Sequence, residues 1–518
     1  MNIPGEQGSG GQGDALSALR NPIEAAWVAP QHVRHRLDAS FFAPQYLELD
    51  EALNHNHGAQ VTSLRHFLKS PRRVLYRNTE TYEAHKAPPG SLPFISGVDM
   101  DSASLSLNWR NPTFVEAWMG EKYPKGLIFP GALLIKVKGP NQLASYVEEV
   151  RRMALVSGTI FFSGTKNIDP YYLVAFLCSS FGTSWRTRLR TNVTVEFVNS
   201  EELKELPVVV PKCETQTAIG NLLRKSERLR ALADNAVDRF NNWMACAALT
   251  SSFEPEYQTF LAQTPDNTIW DSVWIQPAEL IERLDPWPHH VAPRTVRNHL
   301  VHRIHPKCFS EFFRIETPRR RRKHLKGVSP NEFHISILDV DHDGHIDWAA
   351  AGANRYDSPG LEVQPGDVLF SCLNPKETRV CVIPEAFMGL AVASPEFAVL
   401  RLNDGVRTPF LLAAILRSEW VRVQTSFLTR SSSLSRRRLD ERDLPLLLLP
   451  WRAEESEELN SGLGFAVAAR DEAIELARAA IQQIADLIAG RCDESSLISK
   501  SADIEKWLAS NPSPYSHK

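Results

Sequence analysis

The sequence lacks most of what an enzyme or an exported protein would show. No apolar run reaches the roughly 18 residues that a membrane-spanning helix requires. Residues 1–20 are rich in Gly, Ser and Gln and have no apolar stretch of the signal-sequence kind, so residues 1–30 read as a flexible tail. The 7 cysteines are odd in number and scattered from Cys178 to Cys492. They form no C-x-x-C pair and no zinc spacing. A reduced, cytoplasmic protein is expected. No G-x-x-x-x-G-K-[ST] loop is present, which excludes P-loop ATP hydrolysis. Ser461-Gly462-Leu463-Gly464 lies inside a helical pattern rather than after a strand, so it is no dinucleotide loop. Amino-methyltransferases hold their target amine with [Asn/Asp]-Pro-Pro-[Tyr/Phe]. Both Asp169-Pro170-Tyr171-Tyr172 and Asn111-Pro112-Thr113-Phe114 lack the second proline. Glu202-Leu203-Lys204 could be half of a nuclease set, but its echo Asp440-Glu441-Arg442 loses the lysine. The 16 histidines include no H-E-x-x-H. Neither a catalytic residue nor a metal or cofactor is expected.

A basic surplus is missing too. The net charge is −3, which argues against a protein that coats nucleic acid by itself. The basic residues are clustered, however: Arg186, Arg188 and Arg190 at alternate positions, then Arg319 to Lys323, then Arg436-Arg437-Arg438. A local patch can bind phosphate on an acidic whole. A charge run is more commonly a solvated face. What distinguishes the segments Arg186–Arg190 and Arg430–Arg438 is that they fall at corresponding places of a repeat.

That repeat is the main positive feature. Pro170-Tyr171-Tyr172-Leu173 to Ser179 aligns with Pro409-Phe410-Leu411-Leu412 to Ser418, 409 − 170 = 239 residues later. Ile95-Ser96-Gly97-Val98-Asp99-Met100-Asp101 aligns with Ile335-Ser336-Ile337-Leu338-Asp339-Val340-Asp341. Leu127 to Leu134 aligns with Glu362 to Leu369, each with a Pro-Gly turn, and Leu206 to Pro211 with Leu444 to Pro450. Solenoid repeats run about 20–50 residues, so this period marks a duplicated domain. Pseudo-twofold proteins suit bipartite targets, of which duplex DNA is the commonest. In each half the pattern predicts strands, a helix capped by Asp169 or Thr408 before Pro170 or Pro409, and a closing proline.

A long helix is predicted after each closing proline. Ile219, Leu222, Ser226, Leu229, Ala233, Ala236 and Phe240 recur at alternating spacings of 3 and 4. Leu463, Val467, Arg470, Ile474, Ala477, Ile481, Ile484 and Ile488 do the same. This is a coiled-coil seam, in which Arg470 would lower stability and fix register. The fold class expected is α/β (α+β): two tandem pseudo-twofold-related domains separated by two long helices forming an antiparallel coiled coil. The expected division is a tail 1–30, first domain 31–212, spacer helix 213–250, connector 251–300, second domain 301–450, spacer helix 451–490 and tail 491–518 with one short helix over Ser501–Leu508. The connector is expected to have no counterpart in the first half.

Asp339-Val340-Asp341-His342-Asp343-Gly344-His345-Ile346-Asp347 is similar to a calcium loop, with oxygen ligands at positions 1, 3 and 5 and Gly at 6. Position 12 is Ala350 in place of the bidentate Glu, and the preceding residues read as strand. A tight Asp-Gly turn between strands is the better reading.

Taken together, these blocks make the chain resemble the DNA specificity (S) subunit of type I restriction–modification systems. The carrying segments are Arg36-Leu37-Asp38-Ala39-Ser40-Phe41-Phe42-Ala43-Pro44, echoed by Arg303 to Phe309, then Leu92 to Asp99, Phe129 to Ile135, Pro170 to Leu173 and Leu203 to Pro211. They occur in that family's order, over about residues 30–250 and 300–490. The resemblance implies two target-recognition domains, each reading half of a split double-stranded DNA site. It further implies a non-catalytic subunit that docks DNA methyltransferase subunits, two in number, together with a translocase/endonuclease subunit. It also places the DNA-facing loops. In the first half these hold Lys136, Lys138 and Asn141, then Arg190, Asn192 and Thr194; in the second half they hold Ser371, Asn374 and Lys376, then Arg430, Ser431 and Ser433. Arg186, Arg188, Arg436 and Arg437 are expected at DNA because their basic clusters fall at corresponding places of the repeat. Arg and Lys suit phosphate or guanine, Asn suits adenine and Ser suits either. Leu222, Leu229, Phe240, Ile474, Ile481 and Ile488 on the seams are the expected partner-binding residues. A DNA-modifying enzyme with divergent motifs, or a protein-only scaffold of a defence complex, is the competing reading.

Overall fold

The computed structural model of the chain describes residues 39–54, 60–77, 79–83, 86–110, 112–140, 142–191, 196–247, 289–304, 306–316, 332–354, 360–374, 378–429 and 437–512. Packing divides the chain into two units, residues 1–228 with 474–518 and residues 229–473. The boundary falls inside both long helices, where the sequence had suggested Lys212 and Pro450.

Strands of the first unit are β1 (Gln60–Ser63), β2 (Leu68–Arg72), β3 (Leu92–Ile95), β4 (Thr113–Val115), β5 (Ala132–Lys136), β6 (Ala144–Val147), β7 (Leu155–Val156), β8 (Ile160–Thr165), β9 (Arg190–Thr191), β10 (Phe197–Val198) and β11 (Pro207–Val210). Those of the second unit are β12 (Lys307–Cys308), β13 (Phe313–Ile315), β14 (Glu332–Ile335), β15 (Leu361–Val363), β16 (Val368–Ser371), β17 (Val380–Val382), β18 (Leu390–Ala393), β19 (Phe397–Leu402) and β20 (Leu448–Leu449). The repeat read from sequence is also a repeat of pairing. A four-stranded sheet runs β2-β8-β5-β6 in one unit and β13-β19-β16-β17 in the other. Beside it β3 pairs in parallel with β7, and β14 in parallel with β18. Antiparallel pairs β1-β11 and β12-β20 close each unit. Gly131 and Gly366 take φ of 82° and 84° in the repeated Pro-Gly turns, a left-handed conformation that glycine adopts at no steric cost.

The helices of the first unit begin with α1 (Pro44–Asn54), α2 (Pro170–Cys178) and α3 (Ser180–Arg188). The first long helix, α4, is Cys213–Ala247. The second unit has α5 (Val291–His299), α6 (Pro409–Arg417) and α7 (Glu419–Leu428). The second long helix, α8, is Ser456–Ile488, and α9 is Glu494–Ser510. Helix α2 is almost wholly apolar, which is why it is buried all round: Tyr172, Phe176 and Leu177 have no or almost no exposure. Each such side chain contributes about 1.5–3 kcal/mol of burial. Asp169 caps α2, accepting the Tyr171 and Tyr172 amides at 3.0 and 3.1 Å. It is tied to α4 by Arg224 at 2.6 Å, while its own amide donates to Gln216 at 3.0 Å. Thr408 occupies the corresponding place before α6 but its side chain makes no cap bond. Asn460 of α8 supplies the cap instead, accepting the Phe410 and Leu411 amides at 2.9 and 3.2 Å.

The two seams are found where the spacing put them. On α4, Ile219, Leu222, Ser226, Leu229, Ala233 and Phe240 are buried. On α8, Leu463, Arg470, Ile474, Ala477 and Ile484 are buried, with Ala466, Ala469, Ala473, Ala480 and Leu487 besides. The stripe on α8 is therefore wider than a coiled-coil seam, because Leu459 and Leu463 also join the core of the second unit and Ala477, Ala480, Ile484 and Leu487 that of the first. Within the second unit Asp234 meets Arg470 and Arg239 meets Glu458, so the helices run antiparallel there. Arg470 is buried between Asp234 (3.9 Å) and Asp343 (3.1 Å), which ties both helices to the Asp341 turn.

Two sequence expectations need correction. Helix α5 lies inside the segment 251–300, yet it packs on α7 as α1 packs on α3, with Ala292, Val296 and Leu300 buried. It is the counterpart of α1, displaced by 291 − 44 = 247 residues. Its ring contacts are different in kind, His290 on Phe427 and His299 on Trp420, and the one apolar identity at this offset, Leu53 with Leu300, is too little to signal the match. The short helix expected over Ser501–Leu508 is the end of α9, which begins at Glu494 and lies along α4 in the first unit. Glu494 accepts from the Lys212 amide and Thr215 hydroxyl, and Arg228 donates to the Leu508 and Asn511 carbonyls. Among the described residues no helix is long and apolar enough to cross a membrane.

Candidate nucleic-acid interface

In the first unit, the turn that follows β5 meets the β9-β10 hairpin. Val198 donates its amide to Val137 and Gly139 donates to Glu196, at 2.9 and 3.0 Å, and Lys138 bridges Phe197. The second unit builds the same corner. Asn374 donates to Arg437 and Leu439 donates to Cys372, each at 2.8 Å, and Leu373 bridges Arg438. Segments bordering the loops named by resemblance are thus paired in each unit; residues 430–436 of the second unit lie outside the described residues.

What each corner presents is basic. Strand alternation puts Lys136 and Lys138 on one face; Lys138 is exposed and Lys136 half-buried, with burial pulling its ammonium below the usual value. Arg190 is half-buried and paired with Glu196. Arg73, absent from the sequence expectations, joins them. Arg73 lies over the Phe197 ring at 4.5 Å and donates to the Gly158 carbonyl at 2.9 Å. Arg72 lies over Phe129 at 5.3 Å. The adjacent basic pair was the available signal. In the second unit Arg437 is half-buried and Arg438 exposed beside Glu396. Arg379, in the hairpin between β16 and β17, was also missed.

Arg186 and Arg188, expected to face DNA, do not. Arg186 is fully buried and donates to the carbonyls of Gln142, Leu143 and Leu177 at 2.6–3.0 Å. Burial lowers its guanidinium to about 10, with Cys178 acting the other way. Arg188 donates to the Phe41 carbonyl and both Asp50 oxygens, under the Phe41 ring at 4.0 Å. Both arginines sit in the last turn of helix α3, which points them inward. Ser371 is buried as well, donating to the Leu373 carbonyl. Asn374 is described and takes a φ of 47°. Asn141, Asn192, Thr194, Lys376, Arg430, Ser431, Ser433 and Arg436 lie outside the described residues. The expected partner-binding side chains are consumed within the chain: Leu222, Leu229, Phe240 and Ile474 are buried, while Ile481 and Ile488 are half-buried in the first unit's core.

The calcium-like loop is a tight turn. Asp341 accepts the amides of Asp343 and His345 at 2.9 Å, Gly344 takes a φ of 86°, and Val340 bridges Ile346. Asp343 is held by Arg470, and Asp347 caps the helix Trp348–Ala353. The oxygens a cation would need are engaged by protein. His345 contacts Asp471; burial opposes its charge, but the bond to Asp471 and the charges of Asp471, Asp341 and Asp347 hold it above its ordinary value.

No family model and no curated relative matches the chain. Solved structures do. The type I restriction–modification S subunit of M. genitalium is 13% identical, with 87% of this chain and 97% of that chain covered and a TM-score of 0.37. The HsdS subunit of Thermoanaerobacter tengcongensis is 16% identical over 87% and 96%, at 0.24. A chain described in work on the assembly and conformational transition of the type I system is 15% identical over 86% and 97%, at 0.25.

Proposed function

We propose that the chain is the non-catalytic DNA specificity subunit of a type I restriction–modification complex, or of a related phage-defence complex. Each unit reads one half of a bipartite, asymmetric duplex site, and the two long helices dock methyltransferase subunits. The observation that carries this reading is the duplicated corner: the same two segments meet beside the same sheet in both units. Lys138, Arg190 and Arg73 occupy one, and Arg437, Arg438 and Asn374 the other. Basic side chains over a duplex supply affinity through phosphates, and differing loops supply differing base readout. Because the seam side chains are buried, docking falls to outward helix positions such as Asn235 and Arg239, both exposed.

Methylome sequencing of a host carrying the intact system, with and without this gene, tests the reading. The expected result is a gene-dependent motif of two unlike halves around unread bases. A continuous or palindromic motif, or none that depends on the gene, overturns it.

A further inference from the structure

Val98 and Leu338 occupy the same place in the two repeats, 338 − 98 = 240 residues apart, and both are apolar side chains left in the open. Val98 is 87% and Leu338 82% exposed. Their turns are built alike. Asp99 accepts the Ser96 amide at 2.7 Å, and Asp339 accepts the Ser336 amide at 2.6 Å. Each Asp returns its own amide to that serine's carbonyl, and its carbonyl takes a further amide, from Asn108 or Asp347. The serines' preceding residues are locked into the small sheet: Ser157 donates to Ile95 and Ser394 to Ile335. Both aspartates are buried, so each tip stands on a fixed base.

Each tip also adjoins the basic corner of its unit. A Cβ on Gly97 would lie 2.9 Å from Lys136 Cε, so the lysine stem lies directly across the glycine beside Val98. In the second unit Arg379 donates to the carbonyls of Ile337 and Val340, at 2.6 and 3.1 Å, clasping the turn that carries Leu338. The Arg379 carbonyl in turn accepts from Ser371 at the corner. A protein-docking surface would be a contiguous apolar patch of a few hundred Å². Here one apolar side chain on a fixed turn stands next to a cation, twice. The counterpart with that chemistry is a base edge with a methyl group beside phosphates: the thymine C5-methyl in the major groove.

Resting on the function proposed above, we propose that Val98 and Leu338 are specificity-determining residues, each making an apolar contact to a thymine methyl in its own half-site. The fixed turn leaves little backbone entropy to lose on contact.

The test begins with the methylome motif. The purified complex of the full chain with its methyltransferase is then titrated against duplexes in which each half-site thymine is replaced singly by uracil, which removes only the methyl. At one thymine per half the wild type is expected to lose about four- to tenfold in affinity. Val98→Ala should show that loss on the unmodified first half-site, and no further loss with uracil there. Leu338→Ala should do the same for the second half-site, and Val98→Thr should fall between. Unchanged affinity and uracil sensitivity in the variants, an equal loss on unrelated duplex, or a half-site without a T·A pair overturns the inference. Dissociation of the methyltransferase from Val98→Ala with the uracil response intact overturns it in favour of a protein contact. A wild-type complex with no sequence preference overturns the function reading itself, before any variant is compared.

Discussion

The side-chain oxygen of Asn460 accepts the backbone amide of Phe410 at 2.9 Å. The start of α6 is thereby capped by α8, while α2 is capped by its own Asp169 and tied to α4 through Gln216. Both units fasten the N-terminus of the same helix to a long helix by different atoms. An N-cap of this kind is worth about 1 kcal/mol. Asn460→Ala should therefore speed hydrogen exchange of the Leu412–Ile415 amides by roughly fivefold, and Asn460→Asp should restore protection. Unchanged exchange in the alanine variant would show that α6 holds its start without α8.

Arg470 is buried against Asp234 and Asp343. Removing the buried cation takes one ion-pair partner from each of the two carboxylates, and Asp343 is half exposed, which discounts the cost to about 2 kcal/mol. Arg470→Ala is expected to lower the urea midpoint of the second unit, followed by Trp420 fluorescence with the other tryptophans replaced. Arg470→Met, which restores volume without charge, should not recover it, because the ion pairs to Asp234 and Asp343 stay broken. Full recovery by Met would show that the position needs bulk alone.

Arg186 and Arg190 should separate stability from binding. Arg186→Ala removes three hydrogen bonds to backbone carbonyls, of which Leu143 keeps the Lys136 amide, a loss of about 3 kcal/mol or more. Arg190→Ala and Lys138→Ala should unfold at the wild-type midpoint and weaken duplex binding, with a shallower dependence on salt. The reverse pattern, a stable Arg186→Ala with impaired binding, would return Arg186 to the interface.

Glu227 of α4 shares the Tyr171 hydroxyl with Glu148. Burial first, and the Glu148 charge after it, raise Glu227 to about 7, against the lowering effect of the Tyr171 bond. A carboxyl raised from 4.5 to about 7 on folding binds more proton in the folded state across that window. Its contribution to stability is therefore present at pH 4.5 and lost as pH rises through about 7. Glu227→Gln should flatten the fall in thermal stability of the first unit between pH 5 and pH 7.5. A slope identical to wild type would assign the titration elsewhere.

The sequence by itself determined the duplication, the Pro-Gly turns, the capped α2, the seams of α4 and α8 and the Asp-Gly turn. The duplication is legible by comparing the chain with itself, and the rest are local: a spacing of 3 and 4, a Pro after an acid, or a Gly where φ must be positive is legible from neighbours along the chain. The tertiary structure alone decided which arginine is buried. Arg186, Arg188 and Arg190 look alike in sequence, but α3 ends between them, so two point into carbonyls and carboxylates and one stays half-exposed. It alone matched α5 to α1 across an offset of 247 rather than 239, because packing on α7 constrains burial and not identity. It also showed that Asn460 caps α6 and that Val98 and Leu338 stand exposed beside their basic corners. Each depends on partners more than thirty residues away or on the solvent, and chain order carries no record of either.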